Sequence, residues 1–443
     1  MRLTFVVQRY GEGVVGGAER YVERLATGLA ADGHDVTVVT SCAVSYADFA
    51  DVFEPGVERI DKVTVHRFPT GTPRPNDRFL PLHGRAVDWR QEPLWPWAQD
   101  RWSQLMGPDL RGVEPTLEAL AAASDATVLV GYHYSHGQRL TRVASAYGPT
   151  IVVPTAHPEG AFYVGAVRSM FDHADRVVCL AREEGDLIAS VYGCGDRVRY
   201  VPCPVDPLEV PSPETVSAAA RSVGVTPGRY AVVVGRVDPA KGSDDAVRFA
   251  AAYRRSLDPE FSLVVVGPGD EHLRDADGVV ATGFVDEGTK EALVAGAGVL
   301  LQPSYMESFS LALVEGWLLG RPAVVQHRSR VLRGHVERSH GGLTYADYPS
   351  FEAAVATVFD HADVAATLAR NGRAYSLVEF DWDRVAEGWE RVVDEAGASA
   401  RTRLGAAGVA GVAGVAGAAG VAGVAGAAGA AGHPADGRTK VSS

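Results

Sequence analysis

Residues 3–40 read LTFVVQRYGEGVVGGAERYVERLATGLAADGHDVTVVT. A short apolar run, LTFVV, leads into a glycine-rich loop. The next segment carries Tyr21, Leu25 and Leu29 at helical spacing and stops at Gly33. DVTVVT then gives a second apolar run. Strand, glycine loop, helix and strand make a βαβ unit. Neither strand alternates with polar residues, so both are buried on two faces, as in a parallel sheet covered by helices.

The same grammar continues outward. Strands are expected at 63–68, 126–131, 150–155, 176–180 and 198–202. The pattern then restarts, with strands at 229–235 and 262–267 around the helix SDDAVRFAAAYRR, a strand at 298–304, a helix within 309–319 and a strand at 322–326. Two α/β runs of similar size, split by the proline-rich VPCPVDPLEVPSPE (201–214), predict two doubly wound domains, 1–205 and 206–380. Two segments break the pattern. Residues 70–112 form a Pro- and Trp-rich insert with Trp89, Trp95, Trp97 and Trp102. It reads either as a surface-packed irregular loop or as the wall of a binding cleft. Residues 401–443 are a low-complexity Gly/Ala/Val tail that cannot build a core and reads as a flexible, disordered appendage.

The chain has 443 residues, 46% hydrophobic and 22% charged, which suits a globular protein of two or three domains. A net charge of −13 argues against nucleic acid as a partner. Four scattered cysteines fit buried, reduced thiols better than a disulfide framework or zinc site. The first apolar run is too short for a signal peptide, and no run of about 18 apolar residues predicts a spanning helix. A cytoplasmic protein is expected; contact with a membrane surface stays open.

Three places carry chemistry. GEGVVGGAER (11–20) sets Gly16 and Gly17 at a helix N-terminus, where backbone N–H groups favour an anion; a tight turn of an ordinary βα unit would look the same. It lacks the spacing of a dinucleotide fingerprint. In VVVGRVDPAKGSDDAV (232–247), Arg236 and Lys241 follow a buried strand directly, where open α/β sheets bind ligands. Their natural partner is a phosphate. In SYMESFSLALVEGW (304–317), Glu307 precedes a helix that Ser308 or Ser310 can cap, and Glu315 lies about two turns inside it. Both carboxylates can then face one cleft, roughly 12 Å apart. The amides of Phe309, Ser310 and Leu311 would point between them, a layout that suits a nucleotide sugar. His157 follows another strand end, where a functional and a structural role are both open.

These segments, in this order, resemble retaining glycosyltransferases of the GT-B fold, family 4 most closely. GGAERYVERLATGLAADGHDVTVVT is similar to the family's opening unit, VVVGRVDPAKG to its Arg–Lys–Gly segment, VVVGPGD to its G-x-G turn and ESFSLALVE to its paired-glutamate motif. GGLTYADYPSFEAAV and FDWDRVAEGWERV look like its closing elements. The resemblance covers residues 1 to about 397. It implies two Rossmann-like domains facing across a cleft, with the helix at 381–400 crossing back to the first. It implies that Arg236 and Lys241 hold the donor diphosphate, with the loop Ser308, Phe309, Ser310 and Leu311 beside them. Glu307 would touch the transferred sugar, Glu315 the ribose, and His157 would flank the donor sugar; His157 and Glu307 are the catalytic candidates. Gly16 and Gly17 would lie near the phosphates and the acceptor. No metal or other cofactor is implied. Trp95 and Trp97, in the acceptor domain, are assigned to the acceptor side. Ser310 and Gly316 stand where the family often has Gly and Ala, and Cys203 and Pro204 where Asn-Gly is usual.

The expected activity is transfer of a sugar, with retention, from a nucleotide diphosphate-sugar to a hydroxyl acceptor, whether glycan, lipid-linked or natural product. A sugar-nucleotide epimerase or a non-catalytic sugar-nucleotide sensor would use the same cleft; a dinucleotide oxidoreductase would need the missing fingerprint.

Overall fold

The structure is a computed structural model that describes residues 1–87, 95–237, 241–269 and 276–421. Two sheets organise it. The first contains β1 (Arg2–Val6), β2 (Asp35–Ser41), β3 (Gly56–Ile60), β4 (Val63–Phe68), β5 (Ala126–Val130), β6 (Thr150–Val153), β7 (Arg176–Cys179) and β8 (Val198–Tyr200). Their order is β3-β4-β2-β1-β5-β6-β7-β8, parallel except for the β3–β4 edge pair. The second contains β9 (Tyr230–Val234), β10 (Ser262–Val266), β11 (Val279–Gly283), β12 (Val299–Gln302), β13 (Ala323–Gln326) and β14 (Gly342–Tyr345). Its order, β11-β10-β9-β12-β13-β14, is that of a Rossmann sheet. The central registers pair Leu3 with Val36 and Ala126, and Val232 with Val264 and Leu300.

The predicted strands are present within a residue or two of their expected ends. β3, β11 and β14 escape the sequence reading: GVERI is exposed along its length, and VVATG and GLTY are short and only partly buried, so none carries a continuous apolar run. The insert is not irregular: it forms the helices Asn76–Val87 and Pro96–Met106. Trp102 is fully buried there, while Trp95 and Trp97 are 68% and 71% exposed. Trp89 lies outside the described residues.

Each sheet has a hydrophobic layer on both faces. One of these layers is completed from far along the chain. Helix Trp382–Val421 begins after the second sheet and lays Val385, Trp389, Val392, Val393 and Ala396 into one layer with Phe5 and Val128 of the first sheet and Leu25 of the helix Gly17–Ala31. The Trp389 ring meets Phe5 edge-on at 6.2 Å. Trp382 donates its indole N–H to Asp32, and Arg176 and Arg199 both pair with Glu395, at 2.8 and 2.7 Å. The same layer takes in Phe309, Val314 and Leu318 beside the second sheet. Met1–Ala400 form one compact unit, which therefore holds both sheets.

The backbone of that helix continues through Val421, where a tail from 401 was expected to be disordered. An existing helix end removes the nucleation cost, which lets the alanines of this stretch extend it although glycine recurs every third residue. Residues 422–443 lie outside the described residues. Among the described residues no helix is long and apolar enough to cross a membrane.

Trp389→Ala removes a fully buried ring from the first sheet's core and should destabilise the fold by about 3–5 kcal/mol. Thermal unfolding followed by tryptophan fluorescence and far-UV circular dichroism checks this. A melting temperature equal to the parent's would mean that the crossing helix does not hold that layer.

Candidate active site

The innermost strands of each sheet, β1 with β5 and β9 with β12, send their crossovers to opposite faces. Their carboxyl ends leave a crevice, which is where open α/β sheets bind ligands. Gly16 and Gly17 come after β1, Arg236 and Lys241 after β9 and Glu307 after β12, while His157 comes after β6, the strand next to β5.

In the second sheet Gly235 and Arg236 follow β9 directly, and Lys241 and Gly242 precede the helix Ser243–Ser256. Gly242 has φ +68°, and a Cβ there would lie 2.2 Å from the Pro303 carbonyl oxygen at the end of β12. Glycine therefore lets the loop after β9 press onto the loop after β12. That contact brings Lys241 Nζ to 2.7 Å from Glu307 Oε1, with Glu307 largely buried and Lys241 half-exposed.

The helix beyond Glu307 starts at Leu311, with Ser310 as its N-cap residue. The expected capping bond does not form. Ser310 adopts φ +84° and its hydroxyl instead accepts from Gln302 Nε2 at 2.6 Å. A left-handed conformation is costly for any residue with a Cβ, so the usual glycine would fit more easily here. Glu315 is buried inside the helix Leu311–Leu318, but it is not waiting unpaired. Arg24 Nη2, from the helix Gly17–Ala31 beside the first sheet, donates to Oε1 at 2.8 Å, and Lys290 donates to Oε2 at 3.2 Å. Beside this, Arg20 pairs with Glu287 at 3.0 Å. The two halves are thus joined by charge across the crevice.

In the first sheet, β6 ends at Val153, and two residues on the chain turns at Thr155, a β-branched residue held at φ +52°, into Ala156 and His157. Glu184, fully buried, pins this turn by accepting from the N–H of Ala156 at 2.5 Å and of Leu180 at 2.7 Å. Burial pushes the Glu184 carboxyl up to about 8, against those backbone donors. Burial pushes His157 below the ordinary imidazole range. The charges of Glu159, His133, Lys241 and Glu307 also act on it, which puts His157 within electrostatic range of the Lys241–Glu307 pair.

Several residues there were not anticipated. Tyr132 and His133 follow β5 in GYHYSH, and Glu159 follows β6 in HPEG. The Tyr132 hydroxyl donates to Glu159 Oε1 at 2.6 Å, and His133 Nε2 pairs with the same oxygen. His83 of the insert feels the charges of His133 and Glu159. It stacks on Phe79 and Trp102, so the insert reaches the crevice through His83 while Trp95 and Trp97 face solvent. At the end of β1, Arg9 and Glu19 form a buried pair at 2.5 Å, and Arg9 also donates to the carbonyls of Val15 and Val44. A Cβ on Gly16 would meet the Glu19 carboxylate at 2.1 Å, whereas Gly17 has open space around it. Arg9 and Arg236, from the two halves, both lie over the Tyr46 ring, at 5.4 and 5.0 Å. A polar residue directly after a buried strand was the available signal for Tyr132, His133 and Arg9. Arg24 and Lys290 carried none, since on a helix surface they look like solvated charges.

The two glycines give a matched test. Gly242→Ala forces both a left-handed alanine and a backbone collision, and should destabilise by at least about 1–2 kcal/mol. Gly17→Ala, at a helix start with free space, should be neutral or stabilising by up to about 1 kcal/mol. Differential scanning calorimetry of the pair checks the order; equal melting temperatures would mean that the loop after β9 is not seated against Pro303.

The chain was compared with known proteins. Residues 15–208 match the model of Glycosyltransferase Family 4, and residues 228–361 match that of Glycosyl transferases group 1. A D-inositol 3-phosphate glycosyltransferase of Acidothermus cellulolyticus is 28% identical over 431 residues, covering 88% of each chain. A glycogen synthase of Mycobacterium tuberculosis is 26% identical, covering 87% of this chain and 92% of its own. Among solved structures, sucrose-phosphate synthase from Thermosynechococcus elongatus superposes with a TM-score of 0.66 at 17% identity, over 89% of this chain and 99% of its own. Anabaena HepE in complex with UDP and glucose superposes with a TM-score of 0.62 at 16% identity, over 89% and 98%. Two matched family models in the right order, two facing Rossmann-type sheets and the crossing helix lead to one conclusion: the chain belongs to glycosyltransferase family 4 and is a glycosyltransferase of the GT-B fold.

Proposed function

We propose that the chain transfers a sugar from a nucleoside diphosphate-sugar to a hydroxyl acceptor, with retention at the anomeric carbon, in the cytoplasm. The observation that carries this is the Lys241–Glu307 pair, set at the carboxyl edge of the second sheet within electrostatic reach of His157. A cation and a carboxylate side by side at a strand end suit a group that is anionic at one end and hydroxylated at the other. Four buried cysteines with free thiols fit a reducing compartment.

In this reading Arg236, Lys241 and the N-terminal amides of the helix Leu311–Leu318 meet the diphosphate, and no metal is needed to carry its charge. Glu307 accepts from hydroxyls of the transferred sugar. Glu315 accepts from the ribose, sharing its oxygens with Arg24 and Lys290. The bond from the anomeric carbon to the phosphate oxygen breaks as the acceptor oxygen approaches on the same face. The acceptor's proton passes to the departing phosphate, so no protein nucleophile is required. Glu307 and Lys241 act oppositely here: the carboxylate steadies positive charge on the sugar ring and the ammonium steadies the leaving group.

Replacement of the two glutamates should separate their roles. Glu315→Gln should weaken the free nucleoside diphosphate by about 10- to 150-fold, the worth of a charged hydrogen bond to a group bound before and during reaction. Glu307→Gln should lower kcat by about 10²-fold or more while leaving that affinity nearly intact. Titration calorimetry alongside steady-state kinetics reads both; equal losses of diphosphate affinity with unchanged kcat would overturn the assignment. The donor base is identified by thermal shift against UDP-, GDP-, TDP- and ADP-sugars. UDP-sugars come first because HepE was solved with UDP and glucose. A donor at 100 times its Kd should stabilise the protein by about 2.7 kcal/mol. No shift with any of the four would count against a nucleotide-sugar donor.

A further inference from the structure

Glu159 stands two residues beyond His157 and takes no part in the reaction outlined above. Its Oε1 accepts from the Tyr132 hydroxyl at 2.6 Å and pairs with His133 Nε2. Its Oε2 lies 3.7 Å from His157 Nδ1, just outside hydrogen-bond reach. That Nδ1 is buried and has no hydrogen-bond partner, although the His157 side chain is 24% exposed. The open part of the ring therefore lies away from Nδ1. The two imidazole centres are 5.8 Å apart, and Tyr132 stands edge-on to His157 at 6.1 Å. The carboxylate thus sits between two rings and has a free oxygen toward the one that lacks a partner.

We propose that Glu159 is a positioning residue for His157: it draws the Nδ1 proton toward Oε2, fixes the ring, and leaves Nε2 as an acceptor on the side of the crevice, reserving the point opposite for a hydroxyl group. The inference rests on the reading of His157 as a neighbour of the donor sugar.

A neutral imidazole has one N–H and one lone pair, and the partner of one nitrogen sets the state of the other. His133 and Tyr132 keep the Glu159 carboxyl well below the usual carboxylate range against the effect of burial, so it only accepts. Burial, with His133 and Lys241, holds His157 toward the neutral form, while Glu159 and Glu307 oppose this. Closing 3.7 Å to a bond takes a shift of about 1 Å, and such bonds are often long before substrate arrives. A sugar hydroxyl can donate to Nε2. A phosphate oxygen cannot, and it would meet a lone pair. This point therefore discriminates the hydroxylated end of the donor from its anionic end.

The test uses the full chain with 15N-labelled histidine. Long-range 1H–15N correlation, with His157→Asn to assign the signal, should show His157 in the Nδ1–H tautomer. Glu159→Gln should shift it toward the other tautomer or a mixture. The same variant should lower kcat/KM by about 10- to 100-fold, the usual loss when a group orienting a functional histidine is removed. Nucleoside diphosphate affinity should stay within about twofold, because Glu159 touches no donor atom. On the His157→Asn background, Glu159→Gln should cost less than about twofold more, since the pair acts as one unit. An unchanged tautomer and full turnover in Glu159→Gln, or additive losses in the double variant, would overturn the inference. Full activity in His157→Asn would instead overturn the reading beneath it. Melting temperatures of all variants separate these outcomes from simple unfolding.

Discussion

A parallel strand stops donating and accepting at its carboxyl end, and the chain must leave the sheet there. Where two adjacent strands send it to opposite faces, no backbone fills the gap between them. Both sheets have this divergence at their centre, between β1 and β5 and between β9 and β12. Most of the residues assigned chemistry here hang on that constraint. Arg236, Lys241 and Glu307 leave from one gap; Arg9, Tyr132 and His133 leave from the other, with His157 from the next strand. Their side chains are free to leave the sheets because the strands end, and the buried strands themselves contribute only a rigid floor.

The crevice holds its charges in opposed pairs rather than as a bare cationic pocket. Lys241 lies on Glu307, Arg24 and Lys290 on Glu315, Arg9 on Glu19. An unpaired charge at that depth would be expensive to desolvate, so pairing is what lets such residues stand in a fold without ligand. An anionic ligand then exchanges partners and does not meet isolated cations. Arg24–Glu315, like Arg20–Glu287, has its members on opposite halves. Any group that competes for Glu315 also acts on how firmly the halves are tied.

The sheets were legible because a strand buried on two faces must be apolar throughout, as in ATVLV or YAVVV. β3, exposed along its length, and the half-buried edge strands β11 and β14 left no such trace. The loop residues Lys241 and Glu307 were legible because their charges interrupt apolar sequence beside strand ends. Arg24 was not: it sits among other charged helix residues, and its partner is 291 positions away. The Ser310 cap was misread for a related reason. Serine before a helix usually bonds its own backbone, but Gln302, at the end of β12, offers its hydroxyl a buried amide donor. His83 was hidden because its neighbours in the crevice lie some 50 residues or more downstream, while the tryptophans around it drew the eye by composition alone.

The crossing helix has a consequence for how the protein is made. Phe5 of the first sheet and Leu25 of the helix beside it are covered by Trp389 and its neighbours, so that layer is closed by residues translated last among its parts. At about 5–20 residues per second, on the order of 10–40 s separate the synthesis of β8 from that of Trp389. For that interval the nascent first half has all its strands and lacks one covering. Its assembly on the ribosome is a holding state with an apolar face open, and the second half must be made, and passed, before the first can close.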